Sequence, residues 1–213
     1  MIESAFFSLS DLSYWPYQVA LVSAQIFAIL NPVSVLPVFL SLTEDLNPAS
    51  RHRIVARSSL AVFTICLVMA IAGNYILGFF NINIASLRVG GGILLMVIAV
   101  EMLGGLPRTK SIDAREEVAI VPIATPLLVG PGTMTTVILL SASVPLAVLV
   151  SSIIFVVLLT YIILRYSEHL IRLTGKNGIR ALGRFMTIII AAFAAQLLYS
   201  GLTEWLLSWG MIK

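Results

Sequence analysis

Charge is what this chain has least of. Only 11% of its 213 residues are Asp, Glu, Lys or Arg, whereas soluble domains carry about 25%. With 59% hydrophobic residues the chain reads as an integral membrane protein, and a soluble globular body is excluded. Cysteine is nearly absent: the lone Cys66 lies inside an apolar run, so it forms no intrachain disulfide and reads as packing. The two histidines, His52 and His169, fall in polar loops and read as solvated. None lies in an apolar run. An intramembrane enzyme needs a nucleophile with a base, or a metal cluster, so this absence argues against one, and no metal or cofactor is implied. Basic residues do not gather into a nucleic-acid patch. Before residue 17 there are Glu3 and Asp11 but no Lys or Arg, the wrong sign for a signal peptide, so the first apolar run is expected to be retained.

What is present is a series of apolar runs of about the 20 residues a bilayer core requires. The expected spans are 17–43, 58–80, 84–105, 118–143, 145–164 and 182–207, forming one transmembrane domain over 1–213. Arg51, Arg53, Arg57, Arg108, Lys110, Arg115, Arg165, Arg172, Lys176, Arg180 and Arg184 fall in or beside the loops after spans one, three and five. That leaves only Arg88 and Lys213 of the 13 basic residues. The positive-inside rule puts those loops in the cytoplasm and both termini outside. Trp205 and Trp209 suit an interfacial anchor at the chain's exit.

Spans one and four each contain two prolines five apart, Pro32 with Pro37 and Pro126 with Pro131, and no other prolines share that spacing. Two missing amides and two ring clashes make an unbroken helix costly there. Irregular backbone at membrane depth is tolerated only where protein buries it or it lines a cavity. Both spans are therefore expected to break near the midplane, over 31–37 in the first. The prolines correspond at an offset of 94, Glu101 with Gln196 at 95 and Arg88 with Arg184 at 96. Three spans per unit make the second copy enter from the opposite side. The fold expected is thus all-α, with six transmembrane helices in two inverted three-helix repeats, 17–105 and 118–208.

A half-helix starting near 34–37, and another near 130–133, aims unpaired amides and partial positive charge at its break. The halves ending near Leu30 and Ala124 offer carbonyls. Gly130 and Gly132 permit close backbone approach, and Asn31, Ser34, Thr125 and Thr133 add hydrogen-bonding groups. Neither break holds an ionisable side chain, which favours a small zwitterion or neutral polar solute over a metal ion, a sugar phosphate or a bulky cation.

Asn31-Pro-x4-Pro-Val-Phe and Pro126-Leu-Leu-Val-Gly-Pro-Gly-Thr, with the six-span layout, resemble the MarC family of bacterial and archaeal inner-membrane proteins, and the likeness covers nearly the whole chain. The resemblance implies transport of small neutral amino acids such as glycine and alanine, driven by protons, with the substrate held at discontinuous helices one and four. Carried over, the substrate-binding residues are Asn31, Pro32, Val33, Ser34 and Val35, then Thr125, Pro126, Gly130, Gly132 and Thr133.

Other residues keep two readings. Glu101 is the candidate for proton coupling, since an intramembrane acid is a functional candidate by default. Lying near the cytoplasmic end of its span, it suits a structural role as well. Arg88 and Arg184 are expected to snorkel or cap, Asn74 and Gln196 to bond between helices, and Gly90 to Gly92 to permit close packing. Spans two and five are expected to be the moving gates of an alternating-access cycle. A small-solute channel and a drug or metabolite exporter remain the alternatives.

Overall fold

Hydrocarbon offers no partner for a bare amide or carbonyl, so a chain this apolar satisfies its backbone within helices. The computed structural model describes residues 9–43, 46–104 and 128–211. Among them every regular element is helical: α1 Leu9–Leu30, α2 Pro32–Leu42, α3 Pro48–Phe79, α4 Ile84–Leu103, α5 Pro131–Ser141, α6 Leu146–Arg165 and α7 Ser167–Ser208. Five stretches are long and apolar enough to cross a membrane: Tyr14–Leu40, Pro48–Gly73, Ile84–Leu103, Leu146–Arg165 and Asn177–Ser208. Of the expected fourth span only 128–143 is described, with Pro131–Ser141 as a short apolar helix. Thr125 and Pro126 lie outside the described residues.

Three element starts have a shared local cause. Asn31, Asn47 and Asn83 each precede a helix, and each side chain accepts the amide of the serine three residues on: Ser34 at 3.4 Å, Ser50 at 2.8 Å and Ser86 at 2.6 Å. A proline follows two of these caps, in the first helical position where its missing amide is no loss. Three boundaries differ from expectation, one of them the start of α3, at Pro48 where a polar loop up to 57 was expected. Helix α1 already runs at Leu9, with Pro16 inside it, because a proline ring turned outward costs less than ending a helix. The expected loop around 165–180 is mostly helical within α7. Only Gly175, at φ 71 and ψ 165, leaves helical geometry, a conformation glycine adopts without strain.

The helices gather around two apolar clusters. The larger joins α1, α2, α3, α5, α6 and the N-terminal half of α7 through Ile26, Leu36, Phe39, Val62, Val137, Leu149, Ile153 and Ile179. The smaller joins α4 and the C-terminal half of α7 through Leu95, Ala99, Ile190, Ala194 and Leu197, with Ile29 and Leu139 reaching in from α1 and α5. The α4–α7 contact is the most extensive in the molecule among the described residues. Lipid tails are as apolar as leucine, so such a pair depends on close approach rather than on hydrophobic burial. Glycine supplies it: a Cβ on Gly92 would lie 2.9 Å from the Ala194 carbonyl oxygen, and one on Gly201 2.8 Å from that of Ala85. These contacts make α4 and α7 antiparallel, and Gly91 is likewise packed, against Thr135 of α5. Gly90, by contrast, faces open space.

One ion pair closes each end of the bundle. Arg51 at the start of α3 pairs with Glu168 at the start of α7, and its other nitrogen donates to the Thr43 carbonyl at 2.8 Å. Arg88 at the start of α4 pairs with Glu204 near the end of α7 at 2.7 Å. Arg88, expected to snorkel or cap, is thus paired between helices, because the antiparallel register brings a carboxylate level with it. Phe79 with Phe80, and Trp205 with Trp209, sit at the Arg88 end, where aromatic rings suit an interface.

Candidate functional site

Between α1 and α2 only Asn31 lies outside helical geometry. Helix resumes at Pro32, so the interruption expected over 31–37 is one residue wide, and Pro37 sits inside α2. The physical reason is the Asn31-Pro32 pair: the side chain caps the new helix and the ring presets its first φ. Pro37 still lacks an amide, which deprives the Val33 carbonyl of its usual partner within the turn.

Asn31 is the least ordinary of the described residues. Its φ and ψ are 47 and 59, in the left-handed region that asparagine tolerates better than other side chains. It is wholly buried, as are Leu30, Val35 and Leu36 around it. Its Oδ1 is engaged with Ser34, but its Nδ2 has no hydrogen-bond partner among the described residues, and neither does the Ser34 hydroxyl. An unpaired buried donor costs about 1–3 kcal/mol. Elsewhere in the spans, Thr64, Thr135, Ser143, Ser152 and Thr187 donate to the carbonyl four residues back, the usual solution for a hydroxyl in an apolar helix. Asn31 and Ser34 do not follow it, nor do Ser23, Ser58, Ser59, Thr136 and Thr160.

The start of α5 lies against the last turn of α1. Gly130 is extended, Pro131 occupies the first helical position, and no side chain caps the helix, so the Gly132 and Thr133 amides sit in the first turn, where none has an intrahelical partner. Both residues are buried, and the Thr133 hydroxyl turns back to the Leu128 carbonyl at 3.4 Å. Ile29, two residues before Asn31, reaches within 3.8 Å of where a Gly132 Cβ would stand. A space of about 10 Å³ is enclosed by Ile29, Leu95, Ile98, Gly130, Gly132, Thr133 and Ile190. That is room for about one water molecule. No ionisable side chain lines it.

Of the residues expected at the site, Asn31, Pro32, Val33, Ser34 and Val35 stand at the start of α2, and Gly130, Gly132 and Thr133 at the start of α5. The two groups are not brought into one lining: none of Asn31 to Val35 borders the space at α5, and the Ser34 hydroxyl stands 3.0 Å from where a Gly183 Cβ on α7 would be. Glu101 is exposed near the end of α4, is absent from this lining, and has no ion pair among the described residues. Gln196, expected to bond between helices, instead reaches Ser200 one turn along α7 at 3.4 Å, because its position faces outward. Leu95, Ile98 and Ile190 were not foreseen. Apolar residues in apolar spans carry no mark that separates a cavity wall from a lipid-facing side chain.

Comparison with known proteins adds one consistent result. The profile described as MarC family integral membrane protein matches residues 17–206. The chain is 34% identical over 181 residues to a UPF0056 membrane protein of Pyrococcus abyssi, covering 83% of this chain and 90% of that one. Another UPF0056 membrane protein, from Methanocaldococcus jannaschii, is 34% identical over 208 residues, covering 90% and 97%. The UPF0056 inner membrane protein YhgN of Escherichia coli K12 is 33% identical over 192 residues, covering 87% and 98%. No solved structure matches the chain.

Proposed function

The chain belongs to the MarC family of integral membrane proteins, and from that membership we propose that it is a secondary transporter of small neutral amino acids of the glycine and alanine class. The reading places it in the plasma membrane with both termini outside, and has it work by proton-coupled alternating access. The observation that carries it is Asn31: a wholly buried side-chain amide without a partner among the described residues, at the interruption between α1 and α2. A carboxylate suits the N–H donors there and an ammonium suits the carbonyls freed at the interruption. The lining carries no full charge, which fits a zwitterion and discourages a net-charged solute.

Two inverted repeats, 17–105 and 118–208, with spans one and four broken near the midplane, remain part of this proposal. Of the contacts the repeat would exchange, those of α2 with α7 and of α5 with α4 are of similar extent, whereas that of α3 with α5 is far more extensive than that of α6 with α2. At residue level the match is looser, since α2 starts at the first proline of its pair and α5 at the second. The division into two apolar clusters favours a moving unit other than spans two and five. Helices α3 and α6 both belong to the larger cluster, and the enclosed space lies on the seam with the α4–α7 pair. In this reading α4 and the C-terminal half of α7 rock as one body and expose the seam to each side in turn.

The test is uptake of radiolabelled glycine into proteoliposomes with and without an inward proton gradient, competed by alanine, serine, leucine and glutamate, with Glu101→Gln alongside. Saturable accumulation that collapses with the gradient is expected, with alanine the best competitor. Flux that never saturates would favour a channel. An unchanged gradient response in Glu101→Gln would remove Glu101 from coupling.

A further inference from the structure

The enclosed space at the start of α5 is too small for any amino acid, and what fills it is specific. The Leu95 side chain is fully buried and its Cδ2 stands 2.6 Å from where a Gly132 Cβ would be. The Ile98 Cδ1 stands 3.2 Å from the same point. Both project from α4, and Ile190 of α7 completes that wall. Three of the apolar groups closing over the first turn of α5 therefore belong to the α4–α7 pair, and the amides they cover belong to the other body.

From this arrangement we infer that Leu95 is a specificity-determining residue, the stop that sets how large a side chain the solute can carry. The inference rests on the proposed transport and goes beyond it by naming the wall. A solute whose carboxylate meets the Gly132 and Thr133 amides must displace or slip beneath Leu95. Its α-substituent then points into the space bounded by Leu95, Ile98 and Ile190. Hydrogen or methyl needs little of that volume. An isopropyl or isobutyl group needs the volume the leucine occupies. Packing complementarity of this kind discriminates by about 10–200-fold per misfitting methylene. Gly132 follows from the same contact, because any Cβ there collides with Leu95 before a solute arrives.

The experiment compares the parent with Leu95→Ala in proteoliposomes, using labelled glycine, alanine, valine and leucine. Valine and leucine uptake, each taken relative to glycine uptake by the same variant, is expected to rise by about tenfold or more. Leu95→Val, which removes less volume, is expected to gain valine but not leucine relative to glycine, and serves if the alanine variant fails to fold. A second readout does not depend on turnover: in a Cys66→Ala background, glycine should slow alkylation of the thiol introduced by Leu95→Cys. Glycine uptake with no relative gain for larger solutes in either variant overturns the inference and leaves the transport reading intact. So does alkylation of the Leu95→Cys variant that glycine leaves unchanged in a protein that takes up glycine. A parent that takes up none of the four overturns the transport reading and the role of Leu95 with it.

Discussion

At the scale of single residues, Asn31 joins two demands that are normally separate. The left-handed conformation costs most side chains about 1–2 kcal/mol, and asparagine lowers that cost. The amide also caps α2 through Ser34. Substitution can separate these roles. Asn31→Gly keeps the left-handed backbone and removes the side chain, so the protein should still insert and purify as a single species while glycine uptake falls at least about tenfold, the loss of one buried donor. Asn31→Val strains the backbone as well and should lower the thermal midpoint in detergent below that of Asn31→Gly. Equal uptake in the parent and Asn31→Gly would show that the orphaned amide is not part of the site. The Asn-x-x-Ser pattern was readable in the sequence at all three helix starts. Nothing in the sequence told that one of the three would be buried with a positive φ.

At the scale of elements, the short helices depend on how their ends are tied. Thr43 closes α2, and Arg51 holds the Thr43 carbonyl while pairing with Glu168. An exposed ion pair alone is worth about 0–1 kcal/mol. Glu168→Ala should therefore shift stability only slightly, whereas Arg51→Ala also strands a helix-terminal carbonyl and should cost about 1 kcal/mol more. Thermal unfolding of the two variants in the same detergent compares them directly. Similar small shifts would reduce Arg51 to a surface charge. Span positions were legible here because hydrophobic length is local, whereas α1, α2 and α3 each start earlier than expected, at Leu9, Pro32 and Pro48. The ion pairs were not legible: nothing along the chain marks Glu204, since its partner Arg88 is 116 positions away.

At the scale of the whole molecule, the proposed cycle requires the α4–α7 pair to move against α5. Gly91 and Thr135 provide a lock. A Cβ on Gly91 would stand 3.8 Å from that of Thr135, close to the mean spacing in disulfides. The variant Gly91→Cys/Thr135→Cys in a Cys66→Ala background, oxidised, should lose glycine uptake and regain it on reduction. Uptake that persists in the fully oxidised variant would exclude this motion and return attention to α3 and α6.

The sequence by itself determined that the chain lives in a membrane, which segments are apolar enough to cross it, and that helices start afresh within 31–37 and near Pro131. These properties depend on composition, on proline's missing amide and on the bilayer's thickness, none of which needs a partner segment. Only the tertiary structure decided that the first interruption shrinks to Asn31, that the spans sort into two clusters, and that Leu95, Ile98 and Ile190 close over α5. Those outcomes turn on which apolar face meets which. In a chain whose apolar residues nearly all look alike, only packing distinguishes a wall from a surface.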